Sequence, residues 1–245
     1  MLQMRLCHGD IVRTAMENNR LFFKKPPLVE VRTEVAFKNT LEVADFRSKF
    51  YDSVKQDFPI VLIPDKSKLT YDFGDYSLNS ENWSYRLEIG MNYFRLFSGS
   101  YSGFADFKER FRNALSRFAE CYGIRSFTQF LMQYNNRLPL DQSSFEDCFS
   151  IEVTIAKKLQ PLFAGRGVMI LNQPEGYVSI EIAPQLEGDK ITSYDLLLGF
   201  FSQRELAYEE TTNSIDTLLD KAHGYIEDHF ISVLDSRYLE HLKSL

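Results

Sequence analysis

The order strand, helix, strands, helix is repeated along this chain, and the repetition constrains the fold more than any other feature of the sequence. The first pass covers about residues 28–123 and the second about residues 125–240. A duplicated unit of this kind builds one curved antiparallel sheet whose helices lie on one side. We therefore expect function to be located on the open face of the sheet or at its ends.

The first pass opens with the clearest strand of the chain. Residues 28–37 alternate between apolar or small side chains and charged ones, which is typical of a half-buried strand. Phenylalanine recurs at spacings of three and four along residues 101–122, which indicates a core-facing helix that Gly123 ends. The other elements predicted here are a helix from Asn39-Thr40 to Phe58-Pro59, a hairpin of residues 60–63 and 68–73, and one strand at 84–97.

The second pass repeats this order. Its predicted elements are a strand at residues 125–137, a helix at 144–159, a hairpin of residues 168–171 and 176–182, a strand at 191–201, and a long helix capped by Asn213 or Ser214. No Gly/Ser-rich or Pro-rich linker separates the two halves. We therefore predict an N-terminal extension at residues 1–25 and a single domain at 26–245, which consists of pseudo-repeats at 26–123 and 124–245.

The chain has a formal net charge of −6, and its acidity is concentrated at the C-terminal end. Residues 205–245 contain nine acidic and three basic side chains, so this segment accounts for the whole excess. A nucleic-acid-binding saddle requires a strongly positive surface. Nucleic acid is therefore a less favoured partner than protein, although a local basic patch is compatible with the sequence.

Cysteine usage and hydropathy indicate a reduced, water-soluble protein. Cys7, Cys121 and Cys148 form no CxxC pair, which disfavours a secreted disulfide scaffold. No apolar run approaches the roughly 20 residues of a membrane span, and the N-terminus lacks a signal-peptide core. We expect a cytoplasmic protein that does not interact with membranes.

No motif for a metal, a cofactor or a nucleophile stands out. His8 and Asp10 have no potential ligands nearby in sequence, and His223 and His229 are six residues apart, whereas zinc sites on a helix favour a spacing of four. The sequence contains no GxSxG, Walker A or GxGxxG motif, and Gly165-Arg166-Gly167 is too short for a phosphate loop. The sequence therefore favours a protein without catalytic residues, metal or cofactor.

The less apolar sides of the predicted strands form a candidate binding face. Aromatic, amide and oppositely charged side chains are mixed on it, and acids and arginines nearly balance. Such a mixture suits a protein, a peptide or a small polar ligand, and the alternative is a solvated sheet face with cross-strand ion pairs. The candidate partner-binding residues are Arg32, Glu34, Arg86, Glu88, Phe94, Phe127, Gln133, Asn135, Arg137 and Glu181.

Three short segments carry a family resemblance: the opening at residues 26–31 (PPLVEV), the strand end at 134–138 (YNNRL), and residues 219–226 (LDKAHGYI) followed by Phe230. Together they resemble a sporadically distributed family of uncharacterised prokaryotic proteins of about this size. The resemblance implies no assigned reaction and no accepted catalytic residues, and the patchy distribution of the family suggests mobile elements or defence islands. The element order also looks like the duplicated fold of TATA-binding protein and the helix-grip units of lipid-binding proteins.

These observations predict an α+β fold in which a duplicated, curved antiparallel sheet is backed by helices, with a long C-terminal helix. The first functional hypothesis is a non-enzymatic interaction module that binds a protein partner or forms a homo-oligomer, as an accessory subunit of a phage-defence or toxin–antitoxin-like system. One alternative is a small-ligand sensor or hydrolase that uses groove carboxylates, with Glu30, Glu34 and Glu181 as acid/base candidates. The other alternative is a nucleic-acid-binding saddle.

Overall fold

The computed structural model describes residues 2–6, 23, 26–63, 76–140, 145–155, 158–159 and 166–245. The strands are β1 (Leu2–Leu6), β2 (Leu28–Ala36), β3 (Ile60–Leu62), β4 (Tyr76–Asn79), β5 (Tyr85–Ile89), β6 (Tyr93–Ser98), β7 (Ser126–Phe127), β8 (Gln129–Pro139), β9 (Ile151–Ile155), β10 (Lys158–Leu159), β11 (Gly167–Gln173), β12 (Gly176–Glu187), β13 (Lys190–Ser202) and β14 (Leu206–Ala207). The helices are α1 (Leu41–Asp45), α2 (Arg47–Val54), α3 (Phe104–Tyr122), α4 (Phe145–Cys148), α5 (Tyr208–Val233) and α6 (Ser236–Ser244).

A nine-stranded sheet dominates the fold and confirms the predicted α+β class. Its strand order is β11-β12-β13-β8-β2-β6-β5-β4-β3, and every neighbouring pair is antiparallel. The strands β2 and β8 lie side by side, so the strands of the first half of the chain extend to one side and those of the second half to the other. Smaller sheets are formed by β1-β9-β10 and by β14-β7.

One face of the large sheet forms the core, because its strands alternate as the sequence predicts. In β2 the side chains of Val31, Thr33 and Val35 are buried, whereas the residues between them are half-buried. Apolar side chains stand on the same face in the neighbouring strands, where Leu96 pairs with Thr33 and Phe130 with Val35. This face, called the inner face below, is covered by helices.

The helix α3 covers the inner face of the first half with its stripe of phenylalanines. Phe107, Phe111 and Phe118 are fully buried, and the ring centroid of Phe118 lies 4.9 Å from that of Phe94 in β6. Burying one such ring contributes about 2–3 kcal/mol to folding, so the stripe is a major part of the core. Gly123 ends the helix with φ of 63°, a left-handed conformation that glycine adopts without strain.

The helix α5 covers the inner face of the second half and is tied to α3 by ion pairs. The ring of Tyr225 stacks on Phe200 of β13, with centroids 5.6 Å apart. The Nζ atom of Lys108 lies 2.8 Å from Oδ1 of Asp220 and connects the two helices. No helix among the described residues is long and apolar enough to cross a membrane.

The predicted single strand at residues 84–97 is wrong, because the chain turns back within it. Residues 85–89 and 93–98 form a hairpin, in which the backbone N–H of Gly90 donates to the carbonyl oxygen of Tyr93. The pairing of Ile89 with Phe94 places both on the inner face, so the alternation changes phase at the turn. A continuous strand would have put residues 89, 91 and 93 on one face.

The predicted helix at residues 144–159 is also wrong beyond its first turn. The helix α4 ends at Cys148, and the β-branched alternation Ile151-Glu152-Val153-Thr154-Ile155 forms β9, which pairs with β1. The strand β3 pairs with β4, and residues 68–73 of the predicted hairpin lie outside the described part of the chain.

The remaining predicted helices are present with altered boundaries. Thr40 caps α1 as expected, but a break at Phe46 separates α1 from α2 and leaves the Phe46 side chain exposed. The last helix begins at Tyr208, earlier than predicted, and Asp235 caps the additional helix α6 through the backbone N–H of Arg237.

Candidate functional site

The open face of the large sheet, opposite the inner face, is the candidate site. The helices contact the sheet through inner-face side chains, as in the ring contacts of Phe50 with Phe94 and of Phe200 with Tyr225. The open face consists of the alternate residues of each strand, which the strand register aligns in rows.

Most of the predicted site residues lie on the open face. The register aligns Gln133 of β8 with Arg32 of β2, and Arg32 with Phe97 of β6. The open-face members of the predicted set are Arg32, Glu34, Arg86, Glu88, Gln133, Asn135, Arg137 and Glu181. The alternation along individual strands was therefore sufficient to bring residues from four strands to one face.

Two predicted site residues lie in the core instead. Phe94 is fully buried against Phe50 and Phe118, because the turn at Gly90 reverses the phase of the alternation. Phe127 is also buried, in β7, and a break at Thr128 separates it from the alternation of β8. Neither side chain is available to bind a partner.

Arg95 is the central side chain of the open face, and the sequence reasoning missed it. Its Nε lies 2.6 Å from Oε2 of Glu34, and its Nη1 lies 3.0 Å from Oε2 of Glu88. Burial lowers the pKa of Arg95, but the charge of Glu34 and its hydrogen bond outweigh this and raise the pKa above its ordinary value. The turn residues Gly90-Met91-Asn92 were the signal that could have placed Arg95 on this face.

Phe97 separates two further arginines on the open face. The guanidinium carbon of Arg86 lies 4.3 Å from the Phe97 ring centroid, a cation–π distance. Its Nε is 3.1 Å from Oε1 of Glu88, although the contact lacks hydrogen-bond geometry and the buried Nε–H has no acceptor. Arg86 is therefore held in place by a ring and a charge, with a donor left unused.

Arg32, on the other side of Phe97, forms no ion pair with an acid of the described residues. Its Nε is buried and has no acceptor. Burial, followed by the charge of Arg95, lowers the pKa of Arg32, and the charges of Glu34 and Glu30 oppose this. Arg32 is therefore a half-buried cation on the open face without an acidic partner among the described residues.

The second half of the open face carries ion pairs and aromatic rings. Arg137 Nε lies 3.0 Å from Oδ1 of Asp195, and the rings of Tyr177 and Phe201 are stacked 5.1 Å apart. The Gln133 side chain lies close over Gly199, where an added Cβ would be 2.9 Å from its Cγ. The close approach explains why glycine occupies this position in a central strand.

A second polar cluster lies between the inner face and the helices. The Tyr134 hydroxyl lies 3.0 Å from the hydroxyl of Tyr101 and 2.9 Å from Nδ1 of His223. The His223 ring stacks on Phe104, with centroids 4.0 Å apart. Burial raises the pKa of Tyr101 to about 12 and raises that of Tyr134 well above its usual range. Both tyrosines therefore remain neutral and act as hydrogen-bonding links.

The three described histidines lie in different surroundings. His223 contacts Tyr134, His229 contacts Gln173, and His241 packs near the Tyr238 ring. The spacing of six residues therefore directs His223 and His229 to different neighbours, as expected. No cluster of three metal-ligating side chains occurs among the described residues. His8 and Asp10 lie outside that part of the chain.

Comparisons with known proteins match this chain to no family model and to no curated protein. The resemblance drawn from its three short segments therefore stays a prediction.

Proposed function

We propose that this protein is a non-enzymatic interaction module that recognises a protein partner through the open face of its large sheet. One observation carries the proposal: Arg32 and Arg86 flank the Phe97 ring on the open face, and the Nε–H of neither has an acceptor within the protein. The Arg86 side chain is 41% exposed and that of Arg32 is half-buried, so part of each side chain faces outward. A partner that supplies carboxylates or backbone carbonyl groups would bind these two guanidinium groups.

The composition of this face supports a protein partner. Arginine and aromatic side chains are enriched at the centres of protein interfaces, where a few of them dominate the binding energy. The arginines Arg95 and Arg137 are already paired with acids, so the face has no strong excess of positive charge. Nucleic-acid binding depends on such an excess, which makes a saddle for DNA or RNA the less favoured reading.

The hydrolase alternative receives less support from the contacts of its carboxylates. Glu34 accepts a hydrogen bond from Arg95, and Glu181 lies 2.6 Å from Nε of Arg166. A general base needs a carboxylate within reach of a substrate proton, and both of these are occupied by guanidinium groups.

We further propose that the sheet arose by duplication, in the manner of the TATA-binding protein fold. In strand order, β2, β6 and β5 of the first half correspond to β8, β13 and β12 of the second half, and β2 and β8 meet at the junction. A long helix follows each set, α3 in the first half and α5 in the second. A role as an accessory subunit in a prokaryotic defence system remains part of this proposal and rests on the family resemblance.

Charge reversal on the open face tests the proposal. The protein is isolated from its own host, and its complexes are measured by native mass spectrometry. The strength of the complex is then compared between the variants Arg86→Glu and Arg237→Glu. Arg237 lies on α6, its side chain is 83% exposed, and it serves as the matched control. We expect Arg86→Glu to weaken the complex about tenfold or more, because it places a negative charge beside Glu88, and Arg237→Glu to bind as wild type.

Circular dichroism melting separates lost binding from lost folding. Arg86→Glu and Arg137→Glu variants that are folded and bind the partner as tightly as wild type would remove the open face as the recognition surface. Co-purified nucleic acid would shift the assignment to the saddle, and a small-molecule mass carried by a monomer would shift it to a sensor.

A further inference from the structure

The two edges of the large sheet differ in how they are protected. The edge strand β3 is three residues long and is flanked in sequence by Pro59 and by Pro64 after Ile63, and short strands and prolines both limit pairing with another chain. The other edge strand, β11, spans seven residues and contains neither a charge nor a proline. Among the described residues, β11 pairs only with β12.

The edge strand β11 also has exposed apolar side chains. Val168 is 51% exposed and Ile170 is 64% exposed, and the register places both on the open face. Its sequence, GVMILNQ, is rich in apolar residues of high β-propensity and carries no charge. An unprotected edge of this kind is a template for pairing with another strand.

We infer that β11 is a dimerisation edge, on which β11 of a second copy of this chain pairs in antiparallel orientation. Antiparallel pairing of a strand with its own copy has two-fold symmetry and keeps the open faces of both copies on one side. A two-fold axis at Ile170, the middle residue of β11, would place Ile170 opposite itself and Met169 opposite Leu171 of the second copy. Because β11 is uncharged, no like charges would face each other across the new pair.

The surroundings of β11 suit a second copy as the occupant. The side chains of α5 that reach the β11–β12 turn are Lys221 and Tyr225, which both contact Glu175. The acids Asp216 and Asp220 of α5 pair with α3 instead. Glu175, Asp216 and Asp220 are therefore each paired with a basic side chain, so these three acids add no unpaired negative charge that would repel a second copy at this edge. This inference does not depend on the function proposed for the open face.

Sedimentation equilibrium of the full chain tests the dimer, with Ile170→Lys as the disrupting variant and Leu62→Lys as its matched control. Leu62 is 45% exposed on the same face at the opposite edge. We expect wild type and Leu62→Lys to be dimers, and Ile170→Lys to have a dissociation constant at least about tenfold higher. A wild-type protein that stays monomeric up to about 0.1 mM would overturn the inference, as would an Ile170→Lys dimer as tight as wild type.

Single cysteines test the position of the axis under mild oxidation. Opposed cysteines in an antiparallel pair lie within the roughly 4.4–6.8 Å between Cα atoms that a disulfide requires, so Ile170→Cys should crosslink the two copies. Two copies of Val168→Cys would lie about 13 Å apart along the strands and should stay uncrosslinked. Wild type controls for the native cysteines. If neither variant crosslinks more than wild type, or if only Val168→Cys does, the proposed pairing is overturned.

Discussion

At the scale of single residues, the open face is organised by Arg95, which holds two carboxylates of neighbouring strands at once. Glu34 and Glu88 lie in register on either side of Arg95, and the three side chains are each only 20–24% exposed. Partly buried acids in adjacent strands repel each other unless a cation lies between them. Arg95 is therefore structural as well as part of the candidate binding surface.

Replacement of Arg95 should reveal this structural part. In Arg95→Met the two acids lose their shared counterion while most of the apolar stem is kept. We expect the free energy of unfolding in urea to fall by about 1–3 kcal/mol. Arg237→Met, which removes an exposed arginine from α6, should change it by less than about 0.5 kcal/mol. Equal stabilities of the two variants would contradict the role given to Arg95.

Asp106, in the first turn of α3, should make stability depend on acid pH. The Ser102 hydroxyl, the Tyr85 hydroxyl and Arg110 donate to its carboxylate, and these hydrogen bonds lower the pKa of Asp106. A carboxyl group whose pKa is lower in the folded protein stabilises the fold above its unfolded pKa, and this contribution disappears as the pH falls through the folded value.

The variant Asp106→Asn isolates this contribution. We expect it to melt at a lower temperature than wild type near pH 7, and the difference to shrink progressively below about pH 4. Asp52→Asn provides the comparison, because Asp52 forms an exposed ion pair with Lys55 at the end of α2. A melting-temperature difference for Asp106→Asn that is constant from neutral to strongly acid pH would show that the carboxylate charge is not what stabilises this turn.

At the scale of elements, two glycines on helices should respond oppositely to alanine. Gly123 has φ of 63° at the end of α3, where a side chain is strained. Gly224 lies inside α5, and apart from the adjacent backbone of α5 itself no heavy atom lies within 4 Å of the position that a Cβ would take. We expect Gly123→Ala to lower the free energy of unfolding by about 1 kcal/mol and Gly224→Ala to raise it by about 0.5–1 kcal/mol, both measured in urea. Shifts of the same sign would contradict one of these assignments.

Elements with a long sequence pattern were predicted correctly, and elements with a short pattern were missed. The alternation in β2 and the phenylalanine stripe of α3 extend over many residues, and both were located correctly from sequence. The β5–β6 hairpin and β9 were missed, because a three-residue turn at Gly90 and a five-residue strand offer too few positions to establish a period. The misplacement of Phe94 follows from the first of these errors, since one turn decides the face of every later residue in the strand.

The residues of the candidate site could be predicted where they lie in long strands, and could not be predicted after the missed turn. Arg32 and Gln133 stand in long strands whose phase was read correctly, and the register brings them together. Arg95 and Phe97 follow the missed turn, and a strand that continued without the turn would place them on the inner face. The absence of acceptors at Arg32 could not be read from sequence, because it depends on which rotamers the neighbouring strands allow.

At the scale of the whole molecule, charges that look independent in the sequence are paired across elements. The basic residues of α3 are an example: Lys108 and Arg112 pair with Asp220 and Asp216 of α5, and Arg117 lies 3.3 Å from Asp57 after α2. Half-exposed pairs of this kind contribute little individually. Together they fix how the two long helices lie over the sheet, so part of the acidic excess of the C-terminal region has a structural role.

The central position of β8 has a consequence for how the chain is made. On a ribosome, the strands of the first half are complete by Ser98, and β8 can join β2 as soon as Pro139 has emerged. The other neighbour of β8, β13, ends at Ser202, sixty-three residues later, which corresponds to about 3–13 s of synthesis at roughly 5–20 residues per second. For that interval one edge of a long central strand has no partner, and unpaired strand edges make an incomplete chain prone to aggregation.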